Sequence, residues 1–173
     1  MLGLMLFEDL TFALDYGKLK TRDVVGQQIA VEFKLSPPAT IEAINKTESL
    51  LGIRLPSSYK EFLLKYNGGR VFDYDGLDGF IIYGTDNITK AYKQIALSYQ
   101  EDWIDTILVF AECIGEGNYL AFDCRFETDY EFPVLDGFHE KLPCMWSQIS
   151  PSFDTWLKQI VQCSGKKFWL VSE

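Results

Sequence analysis

One stretch decides the fold, IRLPSSYKEFLLKYNGG, which runs from Ile53 to Gly69. Pro56 is preset for the first turn of a helix, and Ser58 with Glu61 has the spacing of a capping box. One helical face carries the apolar side chains, which are Tyr59, Phe62, Leu63 and Tyr66. Asn67-Gly68-Gly69 then supplies residues that adopt left-handed conformations easily. The stretch predicts an amphipathic helix from Pro56 to Tyr66 whose side chains serve packing rather than chemistry.

A second helix is predicted immediately before this one. Thr40 is a favoured N-cap residue, and Gly52 stands where a left-handed residue ends a helix, so the helix runs from Ile41 to Leu51. The side chains that we expect it to bury are Ile41, Ile44 and Leu51. Because only a short link separates the two helices, they must pack as neighbours.

The remaining elements follow from alternation, helical spacing and turn residues. Strands are predicted at Ile29–Leu35, Phe80–Tyr83, Ile107–Ala111, Tyr119–Asp123 and Tyr130–Leu135, the last with Pro133 at an edge or bulge. Helices are predicted from Asp86 or Asn87 to Tyr99, and after Ser150-Pro151 with an apolar face of Phe153, Trp156, Leu157, Ile160 and Val161. Residues 1–28 fit either a strand pair or a short helix, residues 71–79 are predicted to be an acidic loop, and residues 167–171 fit a short strand or a docked tail.

This order of elements indicates the α+β class. We expect a mainly antiparallel (mixed) sheet with helices packed against it, in a single domain over residues 1–173. Hydrophobic residues make up 47% of the chain and aromatic residues 15%, which predicts a core built on rings, with some rings left for an interface.

Charge restricts the class of partner. The formal net charge is −9, and the isoelectric point is about 4.6. Nucleic acid is a poor partner for such a chain, because binding phosphates requires clustered Lys and Arg. A basic protein partner is favoured instead, although an acidic composition that serves only solubility would give the same net charge.

The cysteines and the hydropathy pattern point to the cytoplasm. Cys113, Cys124, Cys144 and Cys163 include no Cys-x-x-Cys pair, and the one histidine is His139, so a structural zinc site is not expected. We expect free thiols in a reducing compartment. There is no signal-peptide pattern at the N-terminus, and no apolar run approaches the roughly 20 residues that span a bilayer.

Three features of the sequence resemble sites of chemistry, and each has a simpler explanation. No serine or cysteine elbow accompanies His139, which we expect to be a surface residue. Asp73-x-Asp75-x-x-Asp78 lacks the closing glutamate and the register of a calcium loop. Gly115-x-Gly117 and Gly68-Gly69 are too short to cradle phosphate and are typical of turns. We therefore expect no catalytic residues, no metal and no cofactor.

Three motifs, in order, resemble the SUKH superfamily. The first comprises Thr40-Ile41-Glu42, Ile44 (one residue tighter than usual), Glu48, Leu51-Gly52, Leu55-Pro56, Tyr59, Phe62-Leu63 and Tyr66-Asn67-Gly68-Gly69. The second comprises Ile114-Gly115, Gly117-Asn118, Leu120 and Phe122-Asp123, and the third Ile149-Ser150, Ser152-Phe153 and Trp156-Leu157. The resemblance spans about residues 36–162 and leaves residues 1–35 as an extra N-terminal segment.

The resemblance implies an α+β fold and a function in protein binding. Most bacterial members look like immunity proteins that bind and neutralise a toxin domain, often a nuclease, from a polymorphic toxin system. Fungal relatives are interaction scaffolds linked to cell-wall (glucan) synthesis, which gives the alternative function. The family offers no catalytic residues, and its motif positions are core and turn positions that do not locate a binding face.

A cognate toxin that is basic calls for a surface of carboxylates and aromatic rings. The residues predicted to form it are Asp73, Tyr74, Asp75, Asp78, Glu101, Asp102, Trp103, Glu116, Asp136 and Glu140. Each also fits a solvent-facing loop, and Trp103 also fits a core anchor. A homodimer through an aromatic-rich edge strand is possible on this sequence. A small-ligand or metal-dependent enzyme is the third hypothesis.

Overall fold

A single antiparallel sheet forms the centre of the computed structural model, which describes residues 17–23 and 25–170. Its strands are β1 (Lys18–Arg22), β2 (Gln28–Leu35), β3 (Gly69–Tyr74), β4 (Asp78–Ile82), β5 (Ile107–Cys113), β6 (Tyr119–Asp123), β7 (Val134–Gly137) and β8 (Ser147–Ser150). The eight strands lie side by side in chain order, and every neighbouring pair is antiparallel. In such a meander, alternate turns lie at the same end of the sheet.

Four α-helices accompany the sheet in the described residues, namely α1 (Ile41–Leu51), α2 (Ser57–Lys65), α3 (Ile88–Tyr99) and α4 (Phe153–Gln162). The first two connect β2 to β3, α3 lies between β4 and β5, and α4 follows β8. The predicted α+β class with a mainly antiparallel sheet is confirmed, and the described strands include no parallel pair.

The sequence signals of α1 act as predicted. The Thr40 hydroxyl accepts the Ala43 N–H at 3.1 Å, and Gly52 ends the helix in a left-handed conformation, with φ of 64°. The predicted buried stripe is one turn too long, because Ile41 is 60% exposed. Packing begins one turn later, at Ile44 and the buried Thr47.

A distant carboxylate fixes the N-terminal end of α2, contrary to the prediction of a local capping box. The backbone N–H and the hydroxyl of Ser58 both donate to the Glu131 carboxylate, at 2.7 Å each. Tyr66 ends the helix in an extended conformation, so the two glycines do not cap it. Gly69 is needed for another reason, because a Cβ there would lie 2.3 Å from the Lys34 carbonyl oxygen of the neighbouring strand.

Aromatic rings fill the space between the sheet and the helices, as the composition predicts. Phe110 of β5 and Phe122 of β6 stack with their centroids 4.2 Å apart. Tyr59 of α2 and Phe153 of α4 meet edge to face at 5.2 Å, and both contact that stacked pair. The two helices are therefore fixed on β5 and β6 by one continuous ring cluster.

Some predicted boundaries are wrong. Residues 71–79 are not a loop, because they belong to β3, β4 and the tight turn that joins them. The strand predicted at Tyr130–Leu135 starts after Pro133, as β7. It lies between β6 and β8 rather than at an edge, and its pairing with β8 shifts register between Val134 and Leu135, in agreement with the bulge alternative. The last helix is capped by Ser152, whose hydroxyl accepts the Thr155 N–H at 3.2 Å.

The two ends of the chain resolve the open alternatives in part. Lys18–Arg22 is a strand, while residues 1–16 and 24 lie outside the described residues. Strand β8 was not predicted at all. The C-terminal segment is a docked tail rather than a strand, because Phe168 and Trp169 pack against the core in a short 3-10 turn. Its last predicted residue, Val171, is not among the described residues.

Candidate protein-binding surface

Three connecting segments meet at one end of the sheet. The Leu77 carbonyl oxygen of the β3–β4 turn lies 2.5 Å from where a Cβ on Gly115, in the β5–β6 turn, would stand. The backbone N–H of His139, after β7, donates to Asn118 Oδ1 at 3.1 Å. These contacts gather five of the predicted residues at one edge, which we call the acidic rim and define as Asp75, Asp78, Glu116, Asp136 and Glu140.

Asp73 does not belong to this rim, and its prediction as a loop contact residue is wrong. Strand β3 extends to Tyr74, so Asp73 is a buried strand residue. It accepts Arg70 at 2.9 Å and the Gly76 N–H at 2.8 Å. Burial alone would raise the pKa of Asp73, but these two donors outweigh burial and hold the pKa below its usual value. Asp73 therefore shapes the turn that presents its neighbours.

The turn itself presents the predicted side chains to solvent. Tyr74, Asp75 and Asp78 are all exposed. Asp75 adopts a left-handed conformation, with φ of 52°, which aspartate tolerates better than most residues. Between the carboxylates stands Leu77, which is 68% exposed and which the sequence analysis missed. A leucine in a Gly-Leu-Asp turn, where a polar residue is usual, was the signal available.

Lys167 partly neutralises two members of the rim. Its side chain is only 10% exposed, and its ammonium contacts the Glu116 carboxylate. Burial raises the pKa of Asp136, and the nearby Lys167 offsets that rise only in part. Burial likewise raises the pKa of the Cys113 thiol to about 12, against the opposing effect of Lys167. Asp136 is thus a strand residue of mixed exposure rather than the loop residue that was predicted.

The Glu101–Trp103 segment reaches the rim through aromatic rings. Trp103 is half-buried and packs against Tyr99, Tyr92 and Trp146, with ring centroids 5.8–6.3 Å apart. The Trp146 indole N–H donates to the Lys141 carbonyl, which follows Glu140. Trp103 therefore serves as a packing anchor, the alternative given in the sequence analysis, and its role as a contact residue stays a prediction.

Glu101 and Asp102 flank this ring cluster in an exposed 3-10 turn. Within the described residues, neither contacts a rim carboxylate or an ammonium group. Glu101 and Asp102 therefore lie beside the ring cluster of Trp103, and they make no direct contact of this kind with the acidic rim.

Exposed apolar side chains accompany the carboxylates, and most were not predicted. Leu142 and Met145 lie in the segment that connects Glu140 to Trp146, and both are exposed. Together with Tyr74 and Leu77, they place apolar area among acidic groups. Protein interfaces commonly combine such anchors with a polar surround.

Groups suited to metal or acid–base chemistry do not converge in the described residues. No three His, Cys, Asp or Glu side chains there are close enough to hold a metal ion. The exposed His139 ring contacts Asn118 Oδ1 at 2.7 Å. The four cysteines are free thiols. None of the described helices is both long and apolar enough to cross a bilayer.

Sequence comparison assigns the family. The SMI1 / KNR4 family (SUKH-1) matches residues 38–159, which is well over half of the chain, so the chain belongs to this family. Membership supports an immunity-protein-like or SMI1/KNR4-like function at the level of the family, and a function exerted through protein–protein interaction.

One relative shows how far the similarity extends. The chain is 26% identical over 144 residues to the "Uncharacterized protein YnaB" of Bacillus subtilis (strain 168), covering 81% of this chain and 88% of that protein. The aligned length takes in most of both chains, but the relative's name adds no activity. The functional argument therefore rests on the family and on the surface itself.

Proposed function

We propose that this protein is an immunity protein that binds a basic toxin domain through the acidic rim and neutralises it without catalysis of its own. The observation that carries the proposal is the meeting, at one end of the sheet, of exposed carboxylates with exposed apolar side chains. We place this function in the cytoplasm, where a nuclease toxin would meet its substrate.

Electrostatics supplies the reason for binding. A nuclease must hold phosphates with Lys and Arg, so its cleft is cationic. A chain of net charge −9 attracts such a partner at long range, and complementary charges raise the association rate. Asp75, Asp78 and Glu140 have no cationic partner within the described residues, so a partner's basic side chains can pair with them directly.

Apolar contacts then determine how long the complex lasts. Leu77 and Tyr74 project from the same turn as the two aspartates, and Met145 lies near Glu140 in the chain. Burial of these side chains at the centre of an interface excludes water from the neighbouring ion pairs. Such a surface suits the tight binding, about nanomolar or better, that an inhibitor requires.

The test begins with the neighbouring genes: a toxin domain encoded beside this one would be produced and its direct binding to this protein measured. The variant Asp75→Lys/Asp78→Lys should weaken the complex by at least about tenfold, because two attractions become repulsions. Its melting temperature should stay nearly unchanged, since exposed loop charges add little stability. The matched control is Glu42→Lys/Glu61→Lys, which makes the same charge change on exposed helical positions away from the rim.

Four outcomes separate the hypotheses. Loss of affinity in the rim variant alone supports the proposal. Equal loss in both variants would mean that net charge, and not the rim, drives binding. Tight binding without protection of cells that express the toxin would favour the scaffold function instead, and no binding at all would refute both the rim and the toxin partner.

A further inference from the structure

A second surface, of opposite charge, lies between α1 and α3. The two helices enclose an open groove of about 540 Å³. Leu50 on α1 is 59% exposed and Leu97 on α3 is 76% exposed, and both line this groove. Two exposed leucines on one groove form an apolar patch, and apolar patches of this kind often mark a site where a partner binds.

Each helix turns a complete stripe of side chains towards the groove. On α1 the stripe is Ala43, Lys46, Thr47 and Leu50, and on α3 it is Lys90, Lys93, Gln94 and Leu97. Both follow the spacing i, i+3, i+4, i+7, which places four residues on one helical face. Each of the two helices thus lines the groove with an ordered stripe of apolar, polar and basic residues, of which the leucines and lysines are exposed.

The charge of the groove is opposite to that of the chain. Lys46, Lys90 and Lys93 line it and are exposed, and none pairs with a carboxylate within the described residues. The one acidic residue in its lining, Asp86, accepts a hydrogen bond from Asn67 at 3.2 Å. A chain with a net charge of −9 therefore holds, around exposed leucines, three ammonium groups and a single carboxylate that forms no ion pair with them.

We propose that this groove binds an acidic amphipathic helix of a partner protein. Helices α1 and α3 lie side by side, and the groove between them can accept a third helix whose leucines cover Leu50 and Leu97. Carboxylates at the edges of that helix would pair with Lys46, Lys90 and Lys93. A basic helix is excluded by the three lysines, and a polar helix would leave the leucines exposed.

The site is independent of the acidic rim, because it selects the opposite charge. A basic toxin domain that pairs with Asp75 and Asp78 would be repelled by Lys90 and Lys93. The groove thus gives the protein a means of engaging a second, acidic segment, either on the same partner or on another one. The proposal does not rest on the toxin function.

The probe is a fluorescein-labelled helical peptide of about 18 residues, long enough to form five turns. It carries leucine at i, i+3, i+4 and i+7, glutamate on both flanks and alanine elsewhere. One twin replaces glutamate with lysine, and another shuffles the leucines around the helix. Fluorescence anisotropy at low salt should show saturable binding of the acidic peptide alone, with Kd on the order of 10–100 µM.

Variants locate the binding. Lys90→Glu/Lys93→Glu should lower the affinity for the acidic peptide about tenfold, since two exposed charge attractions become repulsions. Leu97→Asp should weaken it by a similar factor through the lost apolar contact. The matched control Lys65→Glu/Lys158→Glu makes the same charge change at exposed positions outside the groove, and circular dichroism checks that every variant is folded.

The outcomes are distinct from those of the rim experiment. The rim variant Asp75→Lys/Asp78→Lys should bind the acidic peptide as the parent does. Equal binding of the acidic, basic and shuffled peptides would overturn the proposal, and so would equal loss in the groove and control variants. No saturable binding up to about 1 mM protein would overturn it as well, because a usable site binds more tightly than that.

Discussion

The change Lys167→Met tests whether one buried ammonium fastens the C-terminal tail to the acidic rim. Methionine keeps much of the apolar stem of lysine and removes only the charge and its donors. In the structure that charge contacts Glu116 and lies near Asp136 and Cys113. The tail beyond it packs Trp169 against Phe80, with ring centroids 6.5 Å apart.

The magnitude follows from the two carboxylates that lose their cation. Glu116 is 39% exposed, so water can solvate its carboxylate once the ion pair is gone. Losing that ion pair should therefore lower the free energy of unfolding by only about 0.5 kcal/mol. Asp136 is less accessible, and leaving a partly buried charge without its partner costs about 1–3 kcal/mol. We expect a loss of about 2 kcal/mol in the free energy of unfolding at pH 7.5, or roughly 4–8 °C in Tm for a domain of this size.

The loss should depend on pH, with a defined sign. The pKa of Asp136 is raised in the folded protein, so its protonated form is the one that the fold favours. Below the unfolded pKa of about 3.9, Asp136 carries no charge, so Lys167 has no charge to compensate at that carboxyl group. As pH rises through the raised folded pKa, Asp136 ionises and the ammonium becomes necessary. The cost of Lys167→Met should therefore grow from pH 4 to pH 7.5.

Urea unfolding followed by tryptophan fluorescence measures this cost at both pH values. Lys158→Met, at an exposed lysine paired with Asp154, is the control and should change the stability little. Adding Asp136→Asn to Lys167→Met should recover much of the loss at pH 7.5. An equal loss at pH 4 and pH 7.5, or no recovery with Asp136→Asn, would refute the reasoning and assign the effect to packing of the lysine stem.

Two further predictions concern buried polar groups. Asp73→Asn should cost about 1–3 kcal/mol at pH 7, because the carboxylate pairs with Arg70, and less at pH 3.5. The lowered pKa of Asp73 gives this sign, since its stabilisation is lost as pH falls through the folded pKa; urea unfolding that shows equal losses would contradict it. Tyr59→Phe should lower Tm by an amount equivalent to about 1–3 kcal/mol, because the buried Tyr83 carbonyl loses its donor, whereas the control Tyr66→Phe should not.

The elements that the sequence predicted are those whose signals are local. Helix α1 has its own cap and stop, and the β5–β6 hairpin has glycines between two apolar runs. The apolar spacing of α3 and α4 is also contained within each helix. In each case the residues that determine the structure lie within one turn or one strand of it, so a single sequence is enough.

The elements that the sequence missed depend on distant partners. Strand β8 has two exposed residues and little alternation, and it is a strand because β7 lies beside it. The cap of α2 comes from Glu131, 73 residues further along the chain. Residues 71–79 contain Asp73, which looks like a loop residue unless Arg70 is known to face it. Pairing of this kind leaves no local signal.

The candidate site divides in the same way. Sequence reasoning correctly placed Asp75, Asp78 and Glu140 on the surface, because turns carry polar residues to solvent. It did not predict the contact between Lys167 and Glu116, because 51 residues separate the two in the chain. The pattern of acids and rings therefore predicted residues that the fold gathers at one end of the sheet, and their role in binding stays a prediction. The exposed apolar side chains beside them became apparent only from the fold.

The carboxylates of the acidic rim and the apolar side chains beside them should affect different rates, namely association and dissociation. Long-range attraction depends on the net charge, and it brings a cationic partner to the molecule without selecting a face. In the proposed complex, Leu77 and Tyr74 would act only at contact, so they would govern dissociation and hold the partner at one face. Because three lysines line the groove between α1 and α3, a cationic partner that slides there is repelled at short range. On the proposed function, net charge would drive the encounter, and the positions of Leu77 and of the groove lysines would determine which surface the partner binds.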